Sequence, residues 1–372
     1  MKKIAIVSSL PIWEASIPYA RPSDAGHYAV WLSSVCKALE NQKNYEIHWL
    51  ILDKSVKNEK TIETRGQFFH LLPKARLTIG LCTGYIYDTN VILRTLRKIS
   101  PDLVHTWGTE NSYSIATSHY KGNKLLSIQG LLKAYSERAR IARFERLQAL
   151  YEPYTIRSYK HITTESPWAT ERVKEISPTA SPYHLEYAVE ENFFSSTRVI
   201  SDTPVCLYGG SNTPVKNIST LIEAFACPEL AHIKLILAGV RADAYPYAPE
   251  NVKFLGHVNR QEMIHQMSQA WCLVHPSLAD TGPTIAKEAR VMGLPVMMTT
   301  ECGSVQHIEE GKSGFIVAPY DIDAMRHSIL KMTESKETAI AMGKHGQAEC
   351  RQKLGESTMI QRLLEIYASI IS

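Results

Sequence analysis

The stretch "WCLVHPSLADTGPTIAKEARVMGLPVMMTT", residues 271–300, reads as one βαβ unit. "WCLVHPS" is a short β-rich apolar run, "PTIAKEARVM" has helical spacing with Ile285, Ala289 and Met292 on one face, and "PVMMTT" is apolar again. Pro283 suits the first helical position, and Gly293 suits the residue just past the helix end. Strand, Asp-Thr-Gly-Pro turn and helix place that turn at the carboxyl end of a parallel strand, where open α/β sheets bind ligands. The N–H groups around Thr284, Ile285 and Ala286 at the helix start make a seat for an anion. Asp280 reaches the crevice from before the helix. Glu288 lies inside it, too far along to cap its start.

The rest of the chain repeats this alternation. "KIAIVSS" precedes the helical "AGHYAVWLSSVCKALE", "EIHWLILD" follows, "DLVHTW" leads into a stretch from "ENSYSIA", and "KLLSIQG" comes next. After residue 200 the rhythm restarts with "PVCLYGG" and "NISTLIEAFA", then "IKLILAGV", "NVKFLG", "QEMIHQMSQA" and, beyond the opening stretch, "GFIVAP". Strands alternating with helices imply parallel βαβ units, so two successive doubly wound sheets are expected. Pro and Ser interrupt the periodicity in "SPTASPYHLEYAVEENFFSSTRVISDTP", which sets the boundary near residues 190–200. The tail ends in "STMIQRLLEIYASIIS", whose Ile360, Leu363, Leu364, Tyr367 and Ile370 recur at three and four and need a surface to pack on.

Length and composition bound the function classes. A chain of 372 residues has room for two domains with cores of their own, and 44% apolar with 21% charged residues is the balance of an ordered globular protein. The seven cysteines are odd in number and scattered without a Cys-x-x-Cys pair, which fits a reducing compartment. "MKKIAIVSSLPIW" lacks the long apolar run and small-residue site of a secretion signal and reads as a first buried strand. No run of about 18 apolar residues is present to span a membrane. The net charge of +4 is uneven: residues 1–190 hold 25 Lys and Arg against 18 Asp and Glu, and residues 191–372 hold 16 against 19. The basic first part suits a phosphorylated substrate or anionic lipid, and equally an ordinary solvated surface. It carries no reader module for nucleic acid.

A carboxylate accepts two hydrogen bonds and fits a vicinal diol, at about 1.5–3 kcal/mol per charged hydrogen bond. Two carboxylates flanking an anion seat therefore suggest a sugar nucleotide. The alternative makes Asp280 a stabiliser of the helix start, worth about 0.3–1 kcal/mol, and Glu288 a surface residue or a partner of a lysine such as Lys312. The turn "YGGSNTPVKNISTLIEAF" favours the nucleotide: Gly209 and Gly210 let backbone approach a ligand, and Lys216, followed by Asn217 just before a helix, can neutralise a phosphate. It has neither the Gly-Lys-Ser/Thr ending of a P-loop nor the Gly-x-Gly-x-x-Gly of a nicotinamide site.

Taken together, "GGSNTPVKNISTLIEAF", "IKLILAGV", "VKFLGHV", "HPSLADTGPTIAKEARVMGLPV" and "EEGKSGFIVAP" resemble the nucleotide-sugar half of the retaining glycosyltransferases of family 4. The first half resembles them more loosely, through "SDAGHYAVWLSSVCKAL", "PDLVHTW" and "VEENFF". The resemblance implies the α/β GT-B fold, two Rossmann-like doubly wound parallel-sheet domains facing a central cleft. Residues 1–195 would form the acceptor-side domain, 196–355 the nucleotide-sugar domain, and 356–372 a helix crossing back to the first domain. It implies that Glu288 holds the donor ribose, that Asp280 meets hydroxyls of the transferred sugar, and that Thr281, Gly282, Pro283 and Thr284 serve sugar and phosphate. Lys216 matches the basic residue at the diphosphate, within the donor loop of Gly210, Ser211 and Asn217. Gly256, His257 and Val258 match the turn bordering the base, and Gly26 matches the N-terminal loop glycine near phosphate and acceptor. His105 is the candidate contact to sugar or acceptor.

Three positions depart from the family pattern. Asp280 is one methylene shorter than the usual Glu, and Ser211 stands where an Arg is frequent, with Arg241 the candidate to compensate. Gln129 stands where many members have a His close to the reacting carbon, and Gln donates a hydrogen bond but cannot serve as a general base. The implied reaction is sugar transfer with retention from a UDP- or GDP-sugar to a hydroxyl of a glycan or lipid-linked acceptor, in cell-surface polysaccharide, lipopolysaccharide or glycolipid synthesis. No metal or other cofactor is implied. The expected setting is the cytoplasm, at the inner face of the cytoplasmic membrane, with Arg138, Arg140, Arg143, Arg146, Arg157 and Lys160 as an anionic-lipid contact or, with Glu137 and Glu145 interleaved, a solvated helix face. The alternative is a catalytically degenerate sugar-nucleotide-binding partner subunit.

Overall fold

The computed structural model describes residues 1–15, 30–40 and 42–372, and the chain divides into two units. Unit 1 comprises Met1–Ser136, Ala142–Glu186 and Met359–Ser372; unit 2 comprises Glu137–Ile141 and Tyr187–Thr358. The division at Glu186 and Tyr187 lies ahead of the expected 195/196. The reason is packing: Val189 and Phe193 belong to a core of unit 2, and the Val189 N–H donates to Leu354 O at 3.0 Å.

In unit 1 the strands are β1 (Lys2–Ser8), β2 (Tyr45–Asp53), β3 (Lys60–Thr64), β4 (Gln67–Pro73), β5 (Leu103–Trp107), β6 (Lys124–Ser127), β7 (His161–Thr164) and β8 (Ser181–His184). They form one sheet in the order β3-β4-β2-β1-β5-β6-β7-β8, parallel except for the β3–β4 hairpin. That hairpin turns on Arg65 and Gly66 at φ 52° and 69°, the positive pair that a tight two-residue hairpin loop demands. It has no counterpart among the expected strands. Every residue of β5 is buried, as a central parallel strand covered on both faces requires. The C-terminal helix Glu356–Ile371 buries Met359, Ile360, Leu363, Ile366, Tyr367 and Ile370; Leu364, expected on that face, is half-buried and Ile366 takes its place.

In unit 2 the strands are β9 (Val205–Gly209), β10 (Lys234–Ala238), β11 (Val252–Gly256), β12 (Cys272–His275), β13 (Val296–Thr299) and β14 (Gly314–Val317). Their order β11-β10-β9-β12-β13-β14 is 3-2-1-4-5-6 in chain sequence, all parallel. Side chains alternate between two cores. Cys206, Tyr208, Cys272 and Val274 face the helices Ile218–Phe225 and Ile322–Met332, while Leu207, Leu273, Val296 and Met298 face the helix Thr284–Met292. Both units are therefore doubly wound, as the alternating sequence pattern implies. Among the described residues all seven cysteines are free, and no helix is long and apolar enough to cross a membrane.

Candidate active site

The sheet order of unit 2 reverses between β9 and β12. The helix after β9 covers one face and the helix after β12 the other, so a crevice opens at their carboxyl ends, between the loop 209–216 and the loop 276–283. Gly239 makes the first loop possible: it has φ +90°, and a Cβ there would stand 2.1 Å from Gly210 O. The loops are tied by the Leu278 N–H donating to Val215 O at 2.8 Å.

This tie brings two sequence-predicted residues together. Lys216, ending the short turn Pro214–Lys216, places Nζ 2.5 Å from Asp280 Oδ2. The same oxygen lies 3.1 Å from His275 Nε2, which is 3.0 Å from Ser277 Oγ, and the Gly282 N–H reaches Asp280 Oδ1 at 3.3 Å. Backbone bonds fix Asp280, its N–H to Glu301 O and its C=O to the Gly303 N–H. Burial pushes the Asp280 carboxyl upward, but Lys216 and His275 outweigh it and hold the group well below the usual carboxylate range. His275 is pushed down by burial, with Asp280 opposing. The result is a fixed anion with a cation that a diphosphate can recruit.

The helix start differs in detail from expectation. Pro283 occupies the cap with ψ 109° rather than the first helical position, and Ala286 donates its N–H to Pro283 O at 3.0 Å. The free amides of the anion seat are thus those of Thr284 and Ile285, not Ala286. Gly293 closes the helix in the left-handed conformation, φ 81°. Thr281 and Pro283 are buried in the turn, beside half-buried Gly282 and Thr284.

Glu288 is buried and is no surface residue; Lys312 pairs instead with Glu309. Its Oε1 lies 2.7 Å from a terminal nitrogen of Arg260, whose Nε donates to Glu190 and whose guanidinium centre lies 4.4 Å from the Phe193 ring centroid. Burial pushes the Glu288 carboxyl up to about 7, Arg260 opposing. Asn217 sits at φ 55° with its amide donating to Pro319 O and accepting from Thr220, so its side chain holds the turn. Ser211 is exposed and contacts Thr213, and Arg241 is exposed and pairs with Asp243. Gly256, at φ 63°, donates its N–H to Val240 O and accepts that of Gly239, leaving His257 exposed and Val258 half-buried.

In unit 1 the expectation for His105 fails. It is fully buried in the middle of β5, with Nδ1 2.7 Å from Tyr367 Oη and Nε2 2.7 Å from Ser127 Oγ. With both ring nitrogens occupied in the core it cannot meet a sugar or an acceptor. Gln129 is half-buried beside Gly108, where a Cβ would stand 2.6 Å from its Oε1. Gly26 lies outside the described residues. The sequence reading missed His275, Arg260 and Glu190. His275 ends a strand beside the order reversal and was detectable on that ground; Arg260 and Glu190 are far from Glu288 in sequence and carried no signal.

Residues 189–349 match the family described as glycosyl transferases group 1. The GDP-mannose-dependent monoacylated alpha-(1-6)-phosphatidylinositol monomannoside mannosyltransferase of Corynebacterium glutamicum is 25% identical over 236 residues, 58% of this chain and 60% of that protein. The chain spans less than two thirds of the length of the curated relatives it matches. Sucrose-phosphate synthase of Thermosynechococcus elongatus superposes with a TM-score of 0.78 at 17% identity, over 99% of both chains. Anabaena Alr3699/HepE, solved with UDP and glucose, superposes with a TM-score of 0.70 at 15% identity, over 99% of this chain and 100% of that one. At such identities these structures carry the fold, which is GT-B, and the likeness to the group 1 glycosyltransferases lies in residues 189–349.

Proposed function

We propose that the chain transfers a sugar, with retention, from a UDP- or GDP-sugar to a hydroxyl acceptor. The observation that supports this most is the Lys216–Asp280–His275 cluster beside two free amides at the order reversal of unit 2, within the family-matching segment. Glu288 holds the ribose diol, Lys216 and the helix start take the diphosphate, and Asp280 meets hydroxyls of the transferred sugar. The bond from the anomeric carbon to the diphosphate breaks and the bond to the acceptor oxygen forms on the same face. The acceptor proton passes to the departing phosphate, which suits Gln129, a group that cannot take a proton as a general base. Lys216 and the helix start supply the positive charge, so EDTA leaves turnover unchanged.

A lipid-linked acceptor at an anionic membrane, in cell-envelope glycan synthesis, is the reading that an exposed apolar face of unit 1 favours. The helix Arg143–Arg157 buries Ala149 and Ile156 on one side, yet Phe144, Leu147, Leu150 and Tyr154 point to solvent on the other. Leu77 and Ile79 of the adjoining helix Leu77–Cys82 and Ile86 beyond it are also exposed, Leu150 at 75% and Ile86 at 62%. Arg143 and Arg146 border this face, where a purely solvated helix would show polar groups. The named relative acting on a phosphatidylinositol mannoside agrees with it.

The test of the transferase reading is calorimetric titration of wild type and Glu288→Ala with UDP, GDP, ADP and CDP compounds. Saturable binding of one nucleotide, weakened at least tenfold in the variant, is expected. Binding by none of them leaves the degenerate partner subunit as the better account. For the membrane contact, wild type sediments with anionic liposomes at low salt and Leu150→Glu does not; equal recovery in the supernatant overturns it.

A further inference from the structure

The ribose-side carboxylate is held in an unusual way. Arg260 and Glu288 approach to 2.7 Å, yet neither the guanidinium nitrogen nor Glu288 Oε1 has a hydrogen-bond partner: the pair is close without being aligned. Arg260 is meanwhile fixed elsewhere. Its Nε donates to Glu190, its plane lies over Phe193, and it opens the helix Arg260–Gln269, which Asn259 caps by accepting the Glu262 N–H at 2.9 Å. A guanidinium so anchored gives Glu288 charge compensation without consuming its acceptor lone pairs. A bidentate Arg–carboxylate pair would consume them and block a diol.

We propose that Arg260 is a positioning residue for Glu288, a charge clamp that leaves the carboxylate's lone pairs to the ribose diol of the donor. The inference rests on the sugar-nucleotide reading of unit 2 and adds to it a pH dependence. The charged groups facing Glu288 are Arg260, Glu190 behind Arg260, and Lys287 on the same helix, whose Nζ is turned to Tyr187 O at 3.2 Å. Burial drives the carboxyl up to about 7 and Arg260 is the largest force against it. The ionised form accepts charge-assisted hydrogen bonds at both oxygens, whereas the protonated form is neutral and turns one oxygen into a donor, so donor affinity rises with pH through the neutral range. Removing Arg260 moves that rise to higher pH, and removing the like charge of Glu190 moves it to lower pH.

The experiment is calorimetry of UDP-glucose and GDP-mannose from pH 6 to 8.5 on wild type, R260Q, R260K and E190Q, with thermal unfolding of each as a check on folding. The diphosphate diester of these probes keeps one charge state across the range, so a midpoint belongs to the protein. At pH 7, R260Q is expected to bind about fivefold more weakly, the effect of a midpoint raised from about 7 by one pH unit. R260K, retaining the charge, keeps the wild-type midpoint, and E190Q shifts it downward. Should R260Q fold poorly, the opposite behaviour of R260K and E190Q carries the test. Donor binding by wild type with one and the same pH profile in every folded variant overturns the clamp and leaves the transferase reading standing. Binding by neither probe nor any nucleotide overturns both.

Discussion

Two histidines occupy corresponding strands of the two units. His105 lies on β5 and His275 on β12, each strand being the one beside the order reversal of its sheet. His105 is in mid-strand, opposite Ile6 and Leu125, and both its nitrogens are used by Ser127 and Tyr367. His275 is the last residue of its strand, and its Nε2 meets Asp280 and Ser277. Both are buried, and burial lowers the pKa of both. What separates core from site is position along the strand. A parallel sheet presents its ligand crevice at the carboxyl edge, and a residue two positions back is interior.

Breaking the unit 2 cluster at its cation has the largest expected effect. Lys216→Ala removes the charge proposed to face the leaving diphosphate and leaves Asp280 buried with His275 alone, so turnover is expected to fall by roughly 100- to 1000-fold. Asp280→Asn keeps the shape, removes the anion and lowers turnover by a similar order with little change in nucleotide affinity. Steady-state transfer to a hydroxyl acceptor or to water, read beside calorimetry, separates the two. A Lys216→Ala enzyme within threefold of wild type would detach the cluster from the chemistry.

The histidine comparison itself is sharpened by matched substitutions. His275→Phe is expected to lower turnover about tenfold while nucleotide affinity holds, because Asp280 loses one of the partners that orient it. His105→Phe is expected to leave nucleotide affinity in unit 2 unchanged and to lower the melting temperature, since Ser127 and Tyr367 lose a buried partner at about 1–3 kcal/mol. If His105→Phe instead abolishes donor binding with its melting temperature intact, the distinction between the two strands collapses.

The same distinction shows what was legible before the fold was known. The alternation of strands and helices, the Gly293 stop, and the placing of Asp280 and Lys216 at one crevice follow from local pattern, because each depends on residues within one βαβ unit or at the ends of adjacent strands, whereas the ion pair between those two side chains was not foreseen. His105 was misplaced because a strand-end histidine and a mid-strand one look alike until register is fixed. Glu288 was placed in the right element, yet its environment was not readable: Lys287, Glu288 and Arg290 are all buried on a helix whose apolar stripe alone suggests a solvated back. Arg290 explains why. Its guanidinium donates to Leu294 O and His345 O, so the polar side of this helix is covered by the C-terminal helices rather than by water. Contacts between segments so distant in sequence leave no periodicity to detect.

The smallest expected effect is on acid stability, and its sign follows from burial. His105 has its pKa lowered from about 6.5 to about 3 by burial, so the unfolded chain binds a proton that the folded one refuses. The stability it contributes is fully present above about pH 6.5 and is lost as pH falls toward 3. His48, His70 and His161 of unit 1 are lowered too, burial again leading, and act in the same direction. Asp280 works in a different window: its carboxyl is held low in the fold, so its contribution is intact above about pH 4 and is lost only below. Between pH 6 and 4.5 the loss therefore belongs to histidines. Each proton taken up on unfolding contributes a slope of about 1.4 kcal/mol per pH unit at most. His105→Phe, less stable than wild type at pH 7.5, is expected to lose stability less steeply on acidification, so that the two denaturation midpoints converge by pH 5. Parallel midpoints over that range would mean that His105 is protonated in the fold, and that Ser127 and Tyr367 do not enclose it as their geometry requires.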